Sequence, residues 1–223
     1  MIRDGGEMHR TDWWRTMLVP VLLALAVIMV LGVLLDGQNR QLVEGRAREA
    51  TLAKVSIIRA KLEGNISGNV QLVRGLIATI ITEPDMSQAR YASLAQRLFE
   101  ENSQLRSIAA APDLVVSMTY PMAGNEAAIG LDYRTNPDQW AAVEKVVSTN
   151  SLTIAGPVDL VQGGRGFIAR FPVNVGEGDN RQFWGVVSAV VDVDKLYSES
   201  GLLDPDLDLT ISITGQDGAG TAG

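Results

Sequence analysis

Few residues of this chain are of the kinds that perform chemistry. Cysteine is absent and histidine occurs once, at His9, which removes thiol nucleophiles, disulfides, the usual Cys/His zinc sites and most histidine-based acid–base catalysis. Gln162-Gly163-Gly164-Arg165-Gly166 has the glycines of a phosphate loop, but no Lys-Ser or Lys-Thr follows and both flanks read as strands, so a hairpin turn is expected. Asp204, Asp206 and Asp208 alternate as in a calcium loop, yet Leu209 stands where that loop needs glycine and Gly215 where it needs a bidentate glutamate. Asn65-Ile66-Ser67 fits the glycosylation triplet inside an expected helix, a poor acceptor site. No pair of carboxylates, no Ser/His pair and no lysine-activated nucleophile can be assembled. The chain is read as non-enzymatic, with no catalytic residue, metal site or cofactor.

Asp132 stands apart. It follows Ile129-Gly130-Leu131 and precedes Tyr133, at what reads as a closely packed strand end. Two roles are open there: a turn acid bonding local backbone N–H groups, or a polar anchor that orients a small ligand inside an apolar pocket.

The elements that must position Asp132 follow from hydrophobic patterning. The chain has 223 residues, 46% hydrophobic and 20% charged, with a net charge of −7. That is enough for one or two folded domains and excludes disorder, while the acidic balance argues against a nucleic-acid partner. Met17 to Leu35 is uncharged and about as long as a bilayer core is thick, so it is expected to be a transmembrane helix, with Trp13 and Trp14 at headgroup level. Arg3, Arg10 and Arg15 before it balance Arg40, Arg46 and Arg48 after it, leaving the positive-inside rule undecided.

Apolar residues from Leu52 to Ile80 then recur every three or four positions, predicting a long amphipathic stalk helix that ends at Glu83-Pro84. Gly64, Gly68 and Gly75 mark places where that helix bends or another backbone comes close. Ser87 caps a second helix over 88–103, and Asn136 with Pro137 opens a third that runs to about Ser148. Strands are expected at 114–120, 152–155, 158–162, 167–175, 183–193 and 207–214, mostly as an antiparallel meander, with a short helix over 193–199. A last strand followed by a turn with no visible partner is the mark of a fragment of a longer protein.

The segment from Ile129 to Val173 resembles the CHASE family of extracytoplasmic sensor domains. The matching pieces are Gly130-Leu131-Asp132, Pro137, Gly156-Pro157, Leu160 to Gly164 with Gly166-Phe167, and Phe171-Pro172-Val173; Phe183-Trp184-Gly185, Asp192 and Leu196 extend the likeness from about Ala60 to the C-terminus. The resemblance implies an α+β fold: a transmembrane helix and long stalk helix followed by tandem PAS-like α/β modules with antiparallel sheets. The corresponding layout is a cytoplasmic N-terminus at 1–16, a transmembrane helix at 17–35, a stalk helix at 36–83, a membrane-distal module at 84–156 and a membrane-proximal module at 157–223. It further implies a bacterial inner-membrane protein with its N-terminus inside and its sensor periplasmic, and a cytoplasmic kinase or cyclic-di-GMP output domain downstream.

In cytokinin-binding members of that family a carboxylate contacts the ligand at the position matching Asp132, and an apolar pocket residue matches Ile154. A further polar contact matches about Gly163, which has no side chain, and this argues against cytokinin itself. Met118, Tyr120, Tyr133 and Phe171 are added as pocket candidates by proximity in sequence. The expected partners are a small-molecule ligand, the membrane and a second copy of the chain, paired through parallel stalks. The competing reading is a non-catalytic dimerisation or protein-binding adaptor.

Overall fold

The computed structural model describes residues 11–100, 104–160 and 163–213, with side chains from residue 18 onward. Among these residues four helices, α1 (Thr11–Thr82), α2 (Gln88–Glu100), α3 (Pro137–Thr149) and α4 (Val193–Ser200), accompany five strands, β1 (Leu105–Pro112), β2 (Met118–Tyr120), β3 (Thr153–Asp159), β4 (Arg165–Val175) and β5 (Gln182–Asp192). The chain divides into two compact units, Met1–Val55 and Ser56–Gly223, and the division falls inside α1.

Among the described residues of the first unit the apolar side chains of α1 are exposed. Leu22, Ile28 and Met29 are 61%, 66% and 72% exposed, and the most apolar window of the helix has a mean hydropathy of 3.1 with none of it buried. A core helix of a soluble protein would bury such a surface. This helix is long and apolar enough to cross a membrane.

The second unit is built on one antiparallel sheet in the order β2-β1-β5-β4-β3. β3, β4 and β5 form the expected meander, but β1 inserts beside β5 and carries β2 on its outer edge. One face is covered by α1, α2 and α4: Val73, Leu76, Ile77 and Ile80 of α1 meet Tyr91 of α2, Leu196 of α4 and the inward residues of the strands in a single apolar cluster. The spacing of those α1 residues is the three-four period expected of an amphipathic helix. A smaller cluster lies on the other face, where Val143 and Val146 of α3 meet Ala111, Val186, Leu114 and Tyr133.

Polar contacts fix α1 at one height. Asn69 is buried and donates to Gln104 Oε1 at 2.5 Å, while Gln104 in turn donates to Glu199 of α4. One turn earlier Asn65 donates to the Ser200 hydroxyl at 3.2 Å. The edge strand β2 is protected similarly: the Gln88 amide both donates to the Thr119 carbonyl (2.8 Å) and accepts from its N–H (3.1 Å), imitating a sixth strand.

Several local expectations change. The strand expected at 114–120 shortens to β2, because Asp113 and Leu114 take left-handed conformations, φ 45° and 64°, and turn the chain first. The two strands expected at 152–155 and 158–162 are one strand, β3, whose register shifts between Ala155 and Val158. Gly156 permits that irregularity: its φ is +124°, and a Cβ there would lie 2.8 Å from the Gly166 carbonyl oxygen. The module boundary expected at 156–157 therefore falls within a strand, and strands from both sides of it share one sheet. Residues 207–213 form no strand; Thr214 and the turn after it lie outside the described residues. Gly64, Gly68 and Gly75 sit in continuous helix, and among the described residues nothing outside the helix's own backbone lies within 4 Å of where a Cβ would stand.

Candidate ligand-binding site

Antiparallel register arranges side chains in rows, since residues directly opposite one another on neighbouring strands point to the same face. On the face covered by α3, one row crosses all five strands: Thr153, Arg170, Ser188, Ala109 and Thr119. Four of these residues are polar and all four are buried. A polar row inside a sheet must be answered by hydrogen bonds, because each unanswered group carries a desolvation cost of about 1–3 kcal/mol.

For Ser188 and Arg170 the answers come from a roof of two pieces, while the Thr119 hydroxyl donates to the Ile108 carbonyl. The first is the turn 133–135, whose Tyr133 is buried with its hydroxyl 3.0 Å from that of Ser188. The second is the first turn of α3, started by Asn136, whose side chain accepts from the Gln139 N–H, and by Pro137 behind it. From that turn Gln139 accepts from Arg170 Nη2 at 3.2 Å. Arg170 is only 3% exposed, and among the described residues its Nε–H has no acceptor. Burial pulls the guanidinium down from its ordinary pKa, with Tyr133 opposing the shift.

Asp132 stands at the rim of this roof. It opens the 133–135 turn and accepts from Arg134 three times, from the backbone N–H (2.9 Å), Nε (2.9 Å) and Nη2 (3.0 Å). Those bonds, the side-chain ones first, hold its carboxyl below the usual carboxylate range. Its own backbone lies beside Val115, where the Gly130 N–H reaches the Val116 carbonyl and the Tyr133 N–H reaches that of Leu114. The segment thus pairs like a short strand, and Gly130 supplies the left-handed turn, φ +83°, that leads into it.

The opposite face carries a second row, Tyr120, Ile108, Ala189, Ala169 and Ile154. Its two adjacent alanines leave a gap beneath α1, a cavity of about 80 Å³ lined by Val70 and Val73 of α1 and by Ile154, Phe171 and Leu196 among others. Apart from Asn69 the lining is apolar. Such a space suits hydrocarbon and offers no charge.

The sheet separates the six residues singled out in the sequence. Ile154 and Phe171 line the cavity under α1. Met118 is buried on that same face, and Tyr120 packs there edge to face on Phe99 of α2 with ring centroids 5.0 Å apart. Tyr133 roofs the polar row on the other face, and Asp132 is next to it. Sequence reasoning missed Arg170, Ser188, Gln139 and Thr153. A signal for Arg170 was present: it is a lone charge inside Gly166-Phe167-Ile168-Ala169-Arg170-Phe171-Pro172-Val173, a run apolar on both faces of its strand.

A family model described as the CHASE domain matches residues 65–222. No curated protein sequence matches the chain. Among solved structures, an extracellular ligand binding receptor from Desulfohalobium retbaense superposes with a TM-score of 0.51 at 16% identity, over 64% of this chain and 26% of that one. The ligand binding domain of a Pseudomonas aeruginosa amino acid chemoreceptor in complex with GABA gives 0.47 at 18% identity, over 65% of each chain. The sensory domain of a Campylobacter jejuni chemoreceptor with isoleucine bound gives 0.47 at 11%, over 73% of this chain and 76% of that one. The chain thus spans about a quarter of the length of the first of these structures.

Proposed function

The chain belongs to the CHASE-domain family, and from that premise we propose that it is the sensing region of a membrane-anchored receptor that binds a small molecule and passes the event along α1. The observation that carries this reading is the buried polar row roofed by Tyr133 and α3. A sheet core needs no such row for stability, whereas a ligand site needs a few converging polar groups in an otherwise apolar enclosure. The reading is non-catalytic.

We place the five-stranded sheet as the family's membrane-distal module and the alternating stretch Leu207, Leu209, Ile211 as the opening of its membrane-proximal one. That stretch has every second side chain half-buried but no strand partner in the sheet. The apolar helix anchors the chain with the N-terminus in the cytoplasm and the sensor in the periplasm of a bacterial inner membrane, and an output domain follows. Leu52 and Val55 remain on the surface of α1, the positions at which a second, parallel copy would pair.

Asp132 is assigned to the rim of the site. Its carboxylate retains lone pairs beyond those Arg134 uses, and a hydrogen-bond donor on the ligand would take one of them. The experiment is a thermal-shift screen of the full chain in detergent against small amines, purines and amino acids, each hit being titrated into the wild type and Asp132→Asn. A rim contact predicts roughly tenfold weaker binding in the variant. A folded protein that no small molecule stabilises would defeat the sensory reading in favour of an adaptor.

A further inference from the structure

The fold leaves one charge unanswered on the roofed face. Among the described residues no carboxylate forms an ion pair with Arg170; its Nη2 is met by the neutral Gln139 amide and its Nε by nothing, although the residue is almost wholly buried. Of the acids in the roof, Asp132 is already matched by Arg134 and Asp138, in the first turn of α3, is exposed. A buried, uncompensated cation is among the costlier things a small domain can carry, and replacing one with a neutral residue commonly stabilises a fold. Its presence in the centre of β4 calls for a partner that comes and goes.

We propose that Arg170 receives the carboxylate of a small-molecule ligand entering beneath α3, an inference that rests on the sensory role proposed above. The guanidinium fork matches a carboxylate with two parallel N–H bonds, and the Gln139 carbonyl oxygen now sits on one prong of that fork, where one carboxylate oxygen would lie. The second oxygen would take the idle Nε–H. Thr153 and Ser188, directly opposite Arg170 on the neighbouring strands, place hydroxyls on either side of the anion. The first turn of α3, which carries Gln139, adds the favourable end of its helix dipole. Charge selects the chemical class. One guanidinium balances one carboxylate, whereas a phosphate monoester at about −1.5 to −2 would keep an excess in a closed site with no second free cation among the described residues. Displacing Gln139 also gives binding a mechanical output, because the amide belongs to α3.

The test uses the full chain in detergent with acetate, pyruvate, succinate, alanine and benzoate as probes at millimolar concentration, each beside its primary amide. At least one carboxylate should raise the melting temperature while its amide does not. Arg170→Gln should lose roughly tenfold to a hundredfold in affinity for that carboxylate and, without ligand, should melt no lower than the wild type. Arg170→Lys, which keeps the charge but not the fork, should bind with intermediate affinity. Gln139→Ala, which removes the competing amide, should bind at least as tightly as the wild type.

Stabilisation by a neutral molecule alone, equal in wild type and Arg170→Gln, would overturn the carboxylate site and leave the sensory role standing. If no small molecule in this panel or the wider screen stabilised the protein, the sensory role would fall with it. Should Arg170→Gln fail to fold, weaker carboxylate binding by Gln139→Ala, or undiminished binding by Arg170→Lys, would overturn the inference.

Discussion

Filling the gap beneath α1 should stabilise the protein, and its size sets how much. Ala169 is buried at the floor of the cavity, flanked in register by Ala189 and Ile154, and Ala169→Val adds two carbons that point into the space. At about 24 cal/mol per Å³, a cavity of about 80 Å³ represents about 2 kcal/mol of packing not made. Two buried carbons at about 0.8 kcal/mol each recover about 1.6 kcal/mol, less a few tenths for fixing the new χ1. Valine suits a strand, so no opposing backbone preference arises. The expectation is a gain of about 1–1.5 kcal/mol, a rise of about 2–6 °C in melting temperature for a domain of this size. Urea denaturation of the full chain should show the same gain as a shift in midpoint at constant slope. Ala189→Val should behave alike, and the double variant should gain less than the sum because both side chains claim one space. A loss of about 1 kcal/mol or more in both single variants would mean that the space is already filled and that the row of small residues has been misread.

Other outcomes follow from particular positions. Gly185→Ala should cost about 1–3 kcal/mol by thermal melt, because a Cβ there would overlap the Ala111 carbonyl oxygen and the Pro112 Cα across the β1–β5 pair; an unchanged melt would contradict that close approach. Gly68→Ala should instead stabilise by about 0.5–1 kcal/mol, since it lies in continuous helix with open space around it. The depressed carboxyl of Asp132 contributes stability that is present above about pH 4 and lost as the pH falls through its lowered value, the folded pKa lying below the unfolded one. Melts between pH 5 and pH 2.5 should therefore converge for wild type and Asp132→Asn at the acid end, and curves parallel throughout would remove Arg134 as its partner.

What the sequence made legible was what local chemistry decides. Asn136-Pro137 placed the start of α3 because cap and ring act on their own backbone, and the three-four spacing gave α1 its buried face. β1 escaped notice because Leu105 to Pro112 contains three consecutive alanines and only one β-branched residue, Ile108, and no aromatic; it becomes a strand by pairing with β5 and β2 on either side. The strand order, with β1 between β2 and β5, is a tertiary fact with no local signature. The alternation from Leu207 to Ile213 was visible, but alternation needs a partner to become a strand. The candidate site was legible only in part for a similar reason. Ile154, taken from the resemblance, and Phe171, taken by proximity in sequence, fell together, while Thr153 and Arg170, one residue away from them, face the other side of the sheet. A period of two makes single-residue neighbours into opposites.

The buried amide pair of Asn69 and Gln104 has a mechanical consequence when taken with the gap beside it. A rod pinned over one short stretch and left clearance beside it is a lever, and the turn from Asn65 to Asn69 is the fulcrum. Val73, over the gap, is about 9 Å along the helix from the middle of that turn, and Ile58, packed near Gly201, is about 14 Å along on the other side. A small inward tilt at Val73 is returned about one and a half times over, with opposite sign, at Ile58. The empty volume is the stroke that such a lever requires, and filling it with valine would both tighten the core and lock the arm.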